Sequence, residues 1–115
     1  MLPDEIENYV AQLSRVLKPD GRCFMSVFLF DSEAEAAVAK GSTIFDFRHP
    51  IGPCLTFGRE RPDEGIACGK PWFLKLIERN GFRIDVVRPG NWRRVRSYQI
   101  SQDYVVARKR IFPSV

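Results

Sequence analysis

The sequence has no apolar run long enough to cross a membrane. About 18 to 20 consecutive apolar residues are needed, and the longest stretch, Cys23 to Phe30, is short and broken by Ser26. The first residues, Met1-Leu2-Pro3-Asp4-Glu5, carry neither a basic leader nor an apolar signal core, so a cytoplasmic location is expected. Cysteine is scarce and odd in number: Cys23, Cys54 and Cys68 lie 31 and 14 residues apart with no C-x-x-C pair, which argues against a disulfide framework and against a zinc-ribbon site. Histidine occurs once, at position 49. His49 and Cys54 share one segment, but the further ligands that a metal needs are lacking, so no metal site is expected. Repeats and low-complexity tracts are also missing, and no glycine-rich strand-turn-helix element is present.

What remains is a chain of 115 residues with 44% hydrophobic content, the size and composition of one domain spanning 1–115. Ile6, Tyr9, Val10, Leu13, Val16 and Leu17 recur at helical spacing, with Asp4, Glu5 and Glu7 near the helix start, and predict a helix over 4–18. Pro19 and Gly21 stop it. The run 22–30 then reads as a strand with Cys23, Met25, Val27 and Leu29 on one face and Phe24, Ser26, Phe28 and Phe30 on the other. Apolar character on both faces predicts helices on both sides. Asp31 or Ser32 caps a short alanine-rich helix over 33–40, ended by Gly41.

Residues 42–69 hold prolines and glycines among Ile44, Phe45, Phe47, Leu55 and Phe57, and read as an ordered loop insertion with a short hairpin near 54–57. A helix follows from near Pro71 to Asn80-Gly81, then a strand over 82–88 with Phe82, Ile84 and Val86 on one face. The last strand lies within 98–110, centred on Tyr104 to Ala107.

The turn Arg15-Val16-Leu17-Lys18-Pro19-Asp20-Gly21-Arg22 and the strand after it closely resemble the "R-V-L-K-P-G-G-R" turn that leads into the fifth strand of class I S-adenosylmethionine-dependent methyltransferases of the type 11 group, with Asp20 in place of the first glycine. Phe45 to Pro50, Trp72 to Gly81 and Gln102 to Lys109 follow in the order of that family. The resemblance covers nearly the whole chain but only the back half of the family fold, and Leu2 to Glu7 already resembles the family's interior. It implies a three-layer, partial Rossmann-like α/β sheet. The final strand runs antiparallel between the strands 22–30 and 82–88, and 42–69 forms part of a lid over the acceptor. The family's glycine-rich turn and ribose-binding acid are missing from these 115 residues, so the S-adenosylmethionine of the complete fold is not expected to bind this chain alone.

Charge is uneven. Residues 75–115 hold ten lysines and arginines against three acids, and the segment Trp92-Arg93-Arg94-Val95-Arg96-Ser97-Tyr98 interleaves cations with aromatics. Such a segment is either a solvated connection, with Trp92 and Tyr98 on the core, or a weak, non-specific nucleic-acid surface.

Two readings of function follow. In one, the chain is the substrate-side part of a methyltransferase acting on an unidentified acceptor and inactive in isolation. In the other it is a non-catalytic module, self-associating or nucleic-acid-binding. Ligands of open α/β sheets bind beyond the carboxyl ends of parallel strands. That rule marks Phe30, Asp31, Phe45, Arg48 and His49 as candidate acceptor contacts, with His49 as candidate general base. The strand 22–30 lacks the neighbour that precedes it in the family. Its edge is therefore expected to pair with a second copy or with the missing N-terminal half, and Phe24, Phe28 and Leu29 are expected to lose cover.

Overall fold

The computed structural model describes residues 1–58, 60, 65–97 and 99–111. The described chain is an α/β fold with three helices, α1 (Pro3–Val16), α2 (Ser32–Lys40) and α3 (Lys70–Arg79), and six strands. These are β1 (Arg22–Phe30), β2 (His49–Ile51), β3 (Cys54–Thr56), β4 (Ile66–Gly69), β5 (Phe82–Arg88) and β6 (Asp103–Lys109). They form one mixed open sheet in the order β2-β3-β4-β1-β6-β5. The expected placement of the last strand is observed: β6 lies between β1 and β5 and is antiparallel to both, with Met25 opposite Val105 and Val87 also opposite Val105.

The two faces of β1 divide the interior as the alternation in sequence requires. Met25 and Leu29 join Val10 of α1, Phe73, Leu76 and Ile77 of α3, and Phe82, Val105 and Ala107 in one core. Phe28 and Phe30 point the other way, onto Ala34 of α2, Phe47, Ala67 and Trp92. Helices thus lie on both faces, but unequally. Only α2 covers the second face, at the carboxyl end of β1, and Phe24 at the other end stays 62% exposed, stacked on Tyr104 with ring centroids 4.9 Å apart. Cover on both sides holds for half of the strand.

Several boundaries differ from the sequence reading. Helix α1 buries a narrower stripe: Val10 is fully buried and Ile6, Leu13 and Leu17 pack on the core, whereas Tyr9 and Val16 are exposed because they flank that stripe. On β5 the inward residues are Phe82, Ile84 and Val87, not Val86. The register slips between Ile84 and Val86, so Asp85 is an extra residue that reverses the alternation beyond it. Residues 99–102 precede β6 rather than belonging to it, and Tyr98 lies outside the described residues.

The largest correction concerns the edge of β1. The segment 42–69 is more than a loop with a hairpin. The hairpin β2–β3 is there, but β4 follows and pairs parallel with β1 at Phe28, Leu29 and Phe30. The expectation that the whole strand 22–30 keeps an open edge is therefore overturned for its last three residues, and Leu29 and Phe28 are covered. Among the described residues, 22–27 have no strand neighbour on that side.

The turn after α1 explains the sequence signature. Asp20 has φ 68°, a left-handed conformation that glycine adopts freely and Asp tolerates better than most residues. Its N–H donates to Lys109 O at 2.9 Å, and its carboxylate accepts from Arg108 Nη1 at 2.9 Å. The carbonyls at the end of α1 are capped from the far end of the chain: Lys109 Nζ donates to Leu17 O at 2.6 Å and to Ser14 O. None of the helices among the described residues is long and apolar enough to cross a membrane.

Candidate functional site

The most developed polar arrangement lies at the carboxyl end of β1. The β1–β6 ladder ends where Val27 faces Asp103, and there the Asp103 side chain takes over from the backbone. Its Oδ2 accepts from Leu29 N at 2.7 Å, Trp92 Nε1 at 3.0 Å and Arg93 Nη2 at 3.0 Å. Its Oδ1 accepts from Gly90 N at 2.8 Å and Arg93 Nη1 at 2.6 Å. Asp103 is 1% exposed and Arg93 4%. Burial pushes the Asp103 carboxyl up, but the donors from Arg93, Gly90, Leu29 and Trp92 outweigh it and leave the group below its ordinary value.

Arg93 is held on every side. Beyond the two bonds to Asp103, Nη2 donates to Leu29 O at 2.7 Å, Nε reaches Asp31 at 3.3 Å, and the guanidinium carbon lies 4.8 Å from the Trp92 ring centroid. Burial lowers its affinity for the proton, but Asp103 and then Asp31 more than compensate and the net direction is up. Asp31 also caps α2, accepting from Ala34 N at 2.9 Å. Gly90 allows the approach: a Cβ there would lie 2.1 Å from Ser101 O and 2.4 Å from Gln102 O.

No buried side-chain nitrogen or oxygen among the described residues lacks a partner. Chemically the arrangement is thus a closed clamp joining β1, β6, α2 and the 90–93 turn. It leaves little free capacity for a ligand. Above it an open cleft of about 290 Å³ is lined by Glu33, Gly90, Asn91, Arg93, Arg94 and Ser101. The exposed pair Arg94–Glu33 spans this cleft at 3.3 Å.

The sequence-derived candidates are only partly brought together. Phe30 and Asp31 sit at the end of β1. Phe45 lies beside them in an aromatic cluster, 5.0 Å from Phe57 and 5.8 Å from Phe28 between ring centroids. Arg48 pairs with Asp46 and donates to Val38 O of α2 at 3.3 Å. His49 stands opposite Thr56 on β2, three strand spacings, about 14 Å, from β1 in the sheet. A general base at His49 therefore lies away from Asp31. Asp103 is not among the sequence-derived candidates and Arg93 is named there only as part of the basic segment; the available signals are an acid heading an apolar strand and an arginine next to a tryptophan.

The basic C-terminal region is partly paired. Besides Arg93, Arg108 pairs with Asp20 at 2.9 Å and Asp85 at 3.4 Å, Arg83 pairs with Asp85 at 3.2 Å, and Lys109 caps α1. Trp92 is 1% exposed. Trp92 thus packs on the core, as the solvated-connection reading expects, while Arg94 and Arg96 are exposed; the segment offers no tryptophan face for stacking bases, and Tyr98 lies outside the described residues.

No glycine-rich turn stands at a strand-to-helix junction among the described residues. The turn from β1 into α2 is Phe30-Asp31-Ser32, without glycine. The one glycine at a strand-to-helix junction, Gly69, has its open side filled, because a Cβ there would lie 2.8 Å from Pro53 O. No cluster of three or more metal-ligating side chains occurs among the described residues. No protein-family model matches the sequence, and no solved structure matches the fold.

Proposed function

We propose that this chain is the acceptor-side half of a class I S-adenosylmethionine-dependent methyltransferase sheet, and that the cofactor-binding half is supplied by other residues, either in the same reading frame or in a separate polypeptide. The observation that carries this reading is the order β1-β6-β5 with the reversed last strand in the middle and α1 and α3 together on one face. The unpaired edge at 22–27 and the exposed Phe24 support it, since they mark where another strand and another layer would pack. In such an assembly Phe30, Asp31, Phe45 and Arg48 line the acceptor side, while the clamp of Asp103 and Arg93 fixes the end of β1. The contribution of these residues is orientation of the acceptor. His49 requires movement of the β2–β3 hairpin to take part.

The test has two arms. Calorimetric titration of the chain with S-adenosylmethionine is expected to show no micromolar binding, and micromolar binding by these 115 residues overturns the division of labour. The genomic sequence around the reading frame is expected to encode a glycine-rich strand-turn-helix segment, in frame or in an adjacent frame; its lack in both removes the reading.

A second reading, a non-catalytic self-associating module, is favoured by one feature. An apolar groove of about 200 Å³ runs beside the free edge of β1 between Phe24, Met25, Val27 and the α1 residues Ile6 and Tyr9. Two copies meeting antiparallel along 22–27 would cover Phe24 and close the edge by two-fold symmetry.

A further inference from the structure

Cys54 of β3 and Cys68 of β4 are direct cross-strand neighbours. Gly69 N donates to Pro53 O at 3.1 Å, which makes 53 and 69 a hydrogen-bonded pair of the antiparallel ladder. Pairs alternate along such a ladder, so Cys54 and Cys68 occupy the adjoining non-hydrogen-bonded position. There the Cα atoms stand about 4.5 Å apart and the side chains are closest, inside the 4.4–6.8 Å Cα range of disulfides. Both side chains belong to the core on the same face of the sheet, at 3% and 1% exposure. We propose that Cys54 and Cys68 form a reversible dithiol–disulfide site, oxidised by exchange with a low-molecular-weight disulfide, that staples the β2–β3 hairpin to β4.

The two thiols are not equivalent. A hydrogen bond from Cys68 lowers the affinity of Cys54 for its proton, whereas the same contact together with burial raises that of Cys68. Cys54, on β3, also stands one strand nearer the sheet edge than Cys68 on β4, and is the sulfur that attacks first. With oxidised glutathione, the Cys54 sulfur displaces one glutathione thiolate to give a mixed disulfide. Cys68 then loses its proton and displaces the second glutathione. Two protein thiols are oxidised and one glutathione disulfide is reduced to two thiols. Access comes from the edge: β2 and β3 are three residues each, at the end of the sheet, and such elements open locally.

Cys23, half-buried on β1 opposite Ala107, is the internal control. The native chain is equilibrated with excess oxidised glutathione, quenched in acid, denatured and alkylated. The expected product is a monomeric chain with one alkylated thiol, at Cys23, and one linked peptide pair containing Cys54 and Cys68. In a Cys23→Ser variant no alkylated thiol is expected. Closing this short loop is expected to raise the melting temperature by about 5–10 °C, reversed by dithiothreitol. Three alkylated thiols, linkage through Cys23, or oxidation seen only in denaturant overturns the proposal.

Discussion

Replacing Asp103 by asparagine removes one negative charge while keeping the shape of the side chain. In the native fold Oδ1 receives two N–H donors and Oδ2 receives three. Whichever position the new amide nitrogen takes, it confronts at least two donors, and the buried Arg93 keeps only Asp31, at 3.3 Å, as a counter-ion. Removing one member of a buried pair typically costs about 3–5 kcal/mol, a large part of a domain stability of about 5–15 kcal/mol. Urea denaturation of Asp103→Asn should show a loss in that range. The double variant Asp103→Asn with Arg93→Met should lose less than the sum of the two single changes, with a coupling of about 1–3 kcal/mol. The pH dependence has a defined sign. The native carboxyl lies below its unfolded value of about 3.9, so its contribution is fully present above that value and is lost as pH falls through the lower native value. The wild-type urea midpoint should therefore drop below about pH 4 more steeply than that of Asp103→Asn. A loss under about 1 kcal/mol for Asp103→Asn, the size seen for exposed pairs, refutes the reasoning.

Asp20→Gly relieves a left-handed conformation worth roughly 1 kcal/mol but removes a half-exposed ion pair with Arg108 worth less than that, so thermal melting should show a small net gain; a clear loss contradicts the turn argument. Gly90→Ala should lower the melting temperature markedly, because its Cβ would overlap the backbone of residues 101–102, and an unchanged transition refutes that close approach. Light scattering at micromolar concentration should find a dimer if 22–27 pairs with itself, and hydrogen exchange should then protect the Val27 amide; a monomer rejects edge pairing. Nucleic-acid binding, if measured by fluorescence anisotropy, should be weak and fall steeply with salt, since exposed cations such as Arg96 can neutralise phosphates while the buried Trp92 cannot stack on bases; sequence-selective binding that resists salt rejects this.

Local signals carried the element order well. The alternation in 22–30 sorted its side chains between two cores, and Asp31 and Gly41 capped α2 as their types demand; the turn after α1 was placed correctly, but its left-handed residue is Asp20 rather than the more permissive Gly21. Long-range pairing was less legible. Nothing in Ile66-Ala67-Cys68-Gly69 announces a partner, because a four-residue strand in parallel contact depends on what it meets rather than on its own periodicity. The bulge at Asp85 was hidden for a similar reason: one inserted residue leaves the composition of 82–88 unchanged while reversing the faces beyond it. Arg93 read as surface charge because its counter-ion is ten positions away on another element, and a burial that depends on that pairing has no local signature.

The strand at the centre of the sheet is made long before its neighbours. Both described partners of β1 lie downstream, at 66–69 and 103–109, and the cap on α1 waits for Lys109. At about 5–20 residues per second, the ribosome takes several seconds to pass from Phe30 to Lys109. Until residues 66–69 are made, an uncharged, β-prone octet, Cys23 to Phe30, trails from the nascent chain with neither β4 nor β6 to pair with, and until Lys109 it lacks β6. Slow synthesis or delayed arrival of the last strand thus becomes an aggregation hazard for this protein. A holdase chaperone acting on the nascent chain should raise soluble yield more than one acting after release.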